Sequence, residues 1–374
     1  MILGYDAKRL FHNNTGLGNY SRDLVRITSS KMKDSSFLLY NPKLGNVKRF
    51  SLENNMIEKR PVSFLAKKFS ALWRRKGILK QLKTDKVDIF HGLSGEIPSG
   101  INKTGIKTIV TVHDLIFLEH PELYKPIDRF IYNLKFKKAC QKADLIVSIS
   151  EHTKKDIIKH YNINPEKIKV VYQGCHPAVK QTIPDLDKHK LKEKLNLPDN
   201  FLLNVGTIER RKNQETIVKA LSLLDDEKLV IVGRKTKYFE TIKKIIDDNN
   251  LQERVFFLEG LTMNELATLY QMADIFIYPS LYEGFGIPII ESLFSGTPVI
   301  TTYGGVFPEA GGPDSLYVNP HNPQEIVEKV NLLRKNPLLR EEITKKGRKY
   351  ASVFMDDYIA NQWKDIYTNI LNKL

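Results

Sequence analysis

The chain has 374 residues, 41% hydrophobic and 27% charged, a globular balance with length for two domains. No apolar run reaches the ~18 residues of a membrane-crossing helix, and the opening MILGYDAKRL lacks the marks of a secretory leader, so neither is expected. The net charge of +15 is uneven: residues 1–180 hold 33 Lys and Arg against 16 Asp and Glu, and the remainder holds 25 against 27. The first half is therefore expected to meet something anionic. Cys140 and Cys175 have no metal-ligand spacing, so free thiols in a reducing, cytoplasmic setting are expected.

In chain order, the first half alternates strand-like runs (Ile2–Tyr5, Phe37–Tyr40, Val87–Phe90, Thr108–Val112, Leu145–Ile149, Lys169–Val171) with helical stretches at Asn19–Ser29, Leu65–Leu82, Phe130–Lys142 and Glu151–Tyr161. A polar, proline-bearing stretch from His176 to about Asn200 reads as a linker leading into a short helix. Strands are then predicted at Phe201–Val205, Leu229–Val232, Val255–Phe257, Ile275–Tyr278, Pro298–Thr301 and Ser315–Val318, with helices between them. The last stretch, Tyr350–Leu374, is amphipathic and carries Trp363. Such alternation predicts α/β architecture with two doubly wound parallel sheets and a cleft between the domains, ligands lying beyond the carboxyl ends of the strands. The predicted bounds are residues 1–178 for the first domain and 179–351 for the second, with a final helix, about 352–374, returning to the first.

The segment Tyr278–Ile300, YPSLYEGFGIPIIESLFSGTPVI, is the richest in chemistry. A strand ends at Tyr278, a loop supplies Glu283, Gly284 and Gly286, and Pro288 suits the first turn of a helix that carries Glu291. Glycines let backbone approach a ligand, and a helix N-terminus offers N–H donors to an anion. Two carboxylates at the two ends of the segment can each hold hydroxyl groups. This segment resembles the carboxyl-terminal signature of retaining glycosyltransferase family 4, whose fold is the GT-B fold, with two Rossmann-like domains facing across a cleft. The resemblance implies contact with a donor sugar for Glu283, Phe285, Gly286 and Ile287, and with a ribose for Glu291.

Three further segments fit that reading. In FLLNVGTIERRKN, Arg211 and Lys212 follow a strand and can neutralise a diphosphate, with Asn213 a candidate N-cap for the next helix. Many family members carry an arginine directly after the glycine, where this chain has Thr207. The loop TGLGN places Gly16 and Gly18 at a helix start, matching the family's glycine-rich donor loop. In TVHDLIF, His113 follows a strand, with Asp114 able to orient it or cap the next turn. This region resembles the mannosyltransferase-like branch, in which the histidine lies beside the transferred sugar. The residues expected to be catalytic are His113, Glu283, Arg211 and Lys212.

The implied function is transfer of a hexose, mannose favoured, from a nucleotide-diphospho-sugar to a glycan or lipid-linked glycan acceptor in cell-surface polysaccharide synthesis. GDP-mannose is the favoured donor and a UDP-sugar the second. No cofactor and no metal are expected: Asp185 and Asp187 form an Asp-x-Asp string, but it falls in the linker. A sugar-nucleotide epimerase of the same fold and a non-catalytic nucleotide-sugar-binding protein are the alternatives. Lys59–Lys86 holds ten Lys or Arg and one acid, with Leu65, Phe69, Leu72, Leu79 and Leu82 at helical spacing. It is a candidate basic amphipathic helix for an anionic membrane surface, giving a peripheral location on the inner face. No nucleic-acid partner is expected, since no recognised module surrounds that charge.

Overall fold

The computed structural model describes residues 1–45 and 50–372. They divide into two compact units, Met1–Gly174 with Phe354–Leu374, and Cys175–Val353. The last two residues of the predicted final helix, 373–374, lie outside the described residues.

The first unit is built on seven strands: β1 (Ile2–Asp6), β2 (Ser36–Tyr40), β3 (Met56–Lys59), β4 (Ile89–Gly92), β5 (Lys107–Val112), β6 (Leu145–Ser148) and β7 (Ile168–Val170). Their order is β3-β2-β1-β4-β5-β6-β7, and every pairing is parallel. The runs are apolar because helices cover both faces. In β5, KTIVTV, every residue after Lys107 is buried. β3 escapes sequence reading because it is an edge strand, MIEK, in which only Met56 is buried. The strand order reverses between β1 and β4, which makes their carboxyl ends a topological switch point.

Two helices close the unit over its sheet. Gly16–Lys31 buries Leu24, Val25 and Ile27, and the final helix, Asp356–Asn372, packs on it and buries Ile359, Trp363, Tyr367 and Ile370. Tyr367 sits in a buried polar chain. The Tyr5 hydroxyl donates to the Tyr367 hydroxyl at 2.9 Å, Tyr367 meets His91 Nδ1 at 2.9 Å, and His91 Nε2 meets Thr111 Oγ1 at 2.8 Å. Arg26 also donates to Asp356 at 2.8 Å, so the start of the final helix is held by charge as well as packing.

The predicted Leu65–Leu82 helix is not continuous. It is broken into Phe64–Lys68, Ser70–Leu72, a π-helical turn at Trp73–Gly77, and Ile78–Thr84. Its apolar residues divide between two environments. Trp73, Ile78 and Leu82 enter the core, whereas Phe64, Leu65, Phe69 and Leu72 are 78%, 67%, 54% and 58% exposed. No helix among the described residues is long and apolar enough to cross a membrane.

The second unit holds β8 (Leu202–Val205), β9 (Leu229–Val232), β10 (Val255–Leu258), β11 (Ile275–Tyr278), β12 (Val299–Thr302) and β13 (Leu316–Val318). The order is β10-β9-β8-β11-β12-β13, again all parallel, with the switch point between β8 and β11. The stretch read as a linker is ordered and packs here. Pro177–Lys180 forms a turn with Val179 buried, Asp185–Leu195 is a helix, and Gln271 donates to the Gln181 carbonyl at 2.6 Å. The amphipathic run expected to start at Tyr350 is also divided, because Pro337–Ala351 ends in this unit before the chain turns at Ser352–Phe354. Both units are thus Rossmann-like α/β layers.

Candidate active site

The switch point of the second unit places two loops side by side. β8 and β11 are neighbours, with Leu203 opposite Phe276, so the chain leaving each strand emerges at the same edge. The loop after β8 delivers Arg211 and Lys212 in a short 3₁₀ turn, Arg210–Lys212. The loop after β11 delivers Glu283. Lys212 Nζ lies 2.6 Å from Glu283 Oε1, and Arg211 Nη1 lies 2.7 Å from Glu283 Oε2. Tyr278 and Ser280 hydroxyls donate to Glu283 Oε1 at 2.8 and 2.6 Å, and Lys212 also donates to the Tyr278 oxygen at 2.5 Å. Arg211 reaches the Tyr282 carbonyl at 2.6 Å and Glu209 at 2.8 Å.

Burial alone would raise the Glu283 pKa. The neighbouring Lys212 and Arg211 charges overcome it and hold the carboxyl at about 2, so this group is an anionic acceptor and not a general acid. Arg211 stays charged throughout, and burial pulls Lys212 down against the pull of Glu283. Arg210, in contrast, is exposed, and Arg211 and Lys212 are the cations that reach Glu283.

Asn213 holds the N-cap position of Gln214–Leu221 in left-handed conformation, φ 59°, but its side chain does not cap the helix. Instead its amide donates to the carbonyls of Pro279 and Pro320 at 3.0 and 2.7 Å, tying the two loops together. Gly286 takes φ 112° at the start of the Ile287–Ser295 helix, a conformation that L side chains rarely adopt. Phe285 is buried, 2% exposed. Glu291 lies in that helix, 7% exposed, and accepts from the Tyr270 hydroxyl at 3.0 Å. Burial raises its pKa to about 7, with Tyr270 only partly opposing. The two acids are therefore opposite in character: one is permanently charged and one is poised near neutrality.

In the first unit, Gly16 and Gly18 open the Gly16–Lys31 helix. A Cβ on Gly18 would lie 1.9 Å from the Asn13 carbonyl oxygen, whereas Gly16 faces open space. Tyr20, one turn on, meets the His113 ring edge-on at 4.6 Å, so the glycine turn and His113 are neighbours. His113 Nε2 lies 2.8 Å from the Leu93 carbonyl. A carbonyl only accepts, so Nε2 carries the proton and Nδ1 remains an acceptor. Burial lowers the His113 pKa to about 4, and the ring is neutral at ordinary pH. Asp114 accepts from the Ile116 N–H at 3.2 Å, as the cap of the following turn. Asp185 and Asp187 lie in the first turn of Asp185–Leu195, where Asp185 pairs with Lys188.

Sequence reading missed Tyr270, Tyr278 and Ser280. Two are apolar-strand or helix tyrosines with no local signal, and only Ser280, three residues before Glu283, could have been noticed beside the motif.

A model of the family described as Glycosyltransferase Family 4 matches residues 44–179, and one described as Glycosyl transferases group 1 matches residues 186–350. The chain is 33% identical over 212 residues to the O-antigen chain mannosyltransferase RfbU of Salmonella typhimurium, a match that takes in 56% of each chain. It is 25% identical to O-antigen chain mannosyltransferase B of Escherichia coli, across 96% of this chain and 95% of that one. The crystal structure of a glycosyltransferase from Rickettsia africae superposes with a TM-score of 0.78 at 20% identity, covering 100% of this chain and 99% of that one. Two family models in tandem, each on one Rossmann-like unit, show that the chain belongs to the family 4 glycosyltransferases of the GT-B fold.

Proposed function

We propose that this glycosyltransferase moves mannose from GDP-mannose to a glycan or lipid-linked glycan acceptor in cell-surface polysaccharide assembly, with retention of configuration and without a metal. The observation that carries the reading is the Arg211–Lys212–Glu283 cluster at the β8/β11 switch point, with Glu291 buried nearby in sequence. The mannosyltransferase names of two relatives support mannose. A UDP-sugar is the second candidate donor.

In this reading Arg211 and Lys212 receive the donor diphosphate and stabilise the charge that develops on it as the glycosidic bond breaks. Glu283 accepts hydrogen bonds from sugar hydroxyls, with the loop backbone from Phe285 to Ile287 beside it. Glu291 accepts from the ribose diol. Within the first unit, neutral His113 can accept a sugar hydroxyl at Nδ1, and the Gly16–Gly18 turn beside it lets backbone approach a ligand. Attack of the acceptor on the face that the diphosphate leaves needs no carboxylate nucleophile, and Glu283 is held in ion pairs that leave it no proton to donate. The exposed Phe64, Leu65, Phe69 and Leu72 in a basic segment fit contact with an anionic membrane surface, a peripheral location at the inner face.

The test is thermal-shift screening against a panel of nucleotide-sugars, followed by assays of transfer and of free-sugar epimerisation with labelled donor. Stabilisation by GDP-mannose and transfer to a lipid-linked glycan are expected. Stabilisation by UDP-sugars alone would overturn the donor assignment, and epimerised sugar without transfer would overturn the reaction.

A further inference from the structure

Seven of the first half's Lys and Arg residues line a groove of about 860 Å³ within the first unit. The groove lies at that unit's own switch point, bounded by Asp6 at the end of β1, the loop after β4, the π-helical turn and the Pro126–Lys142 helix. Its floor is fixed. Arg74 donates from Nε to both Asp6 oxygens at 3.1 and 3.0 Å and from Nη1 to Glu96 at 2.7 Å, which consumes the acids. Lys135 takes the other Glu96 oxygen at 3.3 Å.

Arg75, Lys103, Lys137, Lys138 and Lys142 also line the groove, and none has an ion-pair partner among the described residues. Cations gathered around one concavity repel each other, and an anion bound there relieves that repulsion. The walls between them are apolar, from Ile78, Phe90, Ile97, Ile131 and Leu134. Ile131 and Leu134 are 40% and 54% exposed, and Ile127 and Phe130 on the same helix are 63% and 60% exposed. A π-helical turn is a rare feature concentrated at functional sites. Here it sends Arg74 to the floor and Arg75 to the lining, while the Arg75 carbonyl accepts the Ser99 N–H at 2.7 Å and ties the two rims. Cations alone would suit a soluble anion, and apolar walls alone a neutral chain. Their combination suits an amphiphile with a multiply charged head.

We propose that this groove binds the diphosphate head and the first chain carbons of the lipid-linked acceptor. The inference rests on the glycosyltransferase reading for the word acceptor, and on the groove alone for the ligand chemistry. The probe is farnesyl diphosphate, titrated calorimetrically into the whole protein beside inorganic diphosphate, farnesol and phosphatidylglycerol vesicles. Farnesyl diphosphate is expected to bind at least about tenfold more tightly than inorganic diphosphate or farnesol, since each charge-assisted hydrogen bond and each buried carbon adds to affinity. The double variant Arg75→Gln, Lys138→Gln is expected to weaken it about tenfold or more. Both side chains are exposed, so an unchanged melting temperature checks the fold. Leu134→Gln should weaken farnesyl diphosphate and leave inorganic diphosphate unaffected. Equal affinity for inorganic diphosphate, vesicle binding without farnesyl diphosphate binding, or indifference to the double variant would each overturn the proposal. GDP-mannose titration reports separately on the second unit. Groove binding without nucleotide-sugar binding leaves this site standing and sinks the proposed function, and the reverse sinks only the groove.

Discussion

Lowering the pH from 8 to 6 should weaken donor binding about tenfold through Glu291 alone. Burial has raised this carboxyl from 4.5 to about 7, and Tyr270 donates a hydrogen bond to it. The free protein is then about nine-tenths ionised at pH 8 and about one-tenth at pH 6. A ribose diol donates two hydrogen bonds and requires the carboxylate, so bound donor holds Glu291 ionised; the step from pH 7 to 6 costs about fivefold and each unit below about 6 close to a factor of ten. The diphosphate diester of GDP-mannose does not titrate in this range, and neither does Glu283, at about 2, nor His113, at about 4. Calorimetric titration of GDP-mannose from pH 5.5 to 8.5 measures the slope, and Glu291→Gln should bind weakly and without pH dependence. A flat profile in the wild-type chain, or an unchanged slope in the variant, would refute the ribose role. The sign for stability is opposite. A carboxyl whose folded pKa is raised favours the folded state when protonated, so this group's contribution falls by about 3 kcal/mol as pH rises from about 4.5 to about 7 and is level above.

Lys212→Ala should reduce turnover about 10²–10³-fold, the scale for losing one preorganised charge stabiliser, and near-normal rates would remove Lys212 from the diphosphate site. Glu283→Gln leaves two partly buried cations, 24% and 12% exposed, without their shared carboxylate and should cost about 2–4 kcal/mol in urea unfolding at pH 7. The Glu283 pKa is depressed, so that stabilisation is present above about 4.5 and is lost as pH falls toward about 2. Turnover should show no limb near pH 6.5 from His113; an inflection there that vanishes in His113→Gln would contradict its buried, neutral state. Tyr367→Phe removes the hydroxyl that meets Tyr5 and His91 and should cost about 1–3 kcal/mol in the same unfolding assay.

The alternation of buried runs with helical stretches was enough to predict two parallel Rossmann-like sheets, since a strand covered on both faces must be apolar throughout. Punctuation was legible too: Pro288 and Gly296 bracket the Ile287–Ser295 helix where the sequence places it. The edge strand β3 was not, because half-exposed positions tolerate charge. Nor was the break in Leu65–Leu82, because periodicity records which residues are apolar and not which of them find a core. Trp73, Ile78 and Leu82 do, and Phe64, Leu65, Phe69 and Leu72 do not.

The sequence by itself also determined the chemical inventory of the site: two acids around a glycine loop and a basic pair three strands earlier in the chain. What only the tertiary structure decided is how those groups behave. Glu283 is a fixed anion because β8 and β11 are neighbours at the switch point, which brings Lys212, 71 residues away in sequence, to 2.6 Å. Glu291, eight residues further along the chain, is poised near neutrality because it is buried beside a tyrosine, with no ion-pair partner among the described residues. Ionisation depends on burial and on charges a few ångströms away, and those distances are set by sheet order, which no local stretch of sequence records.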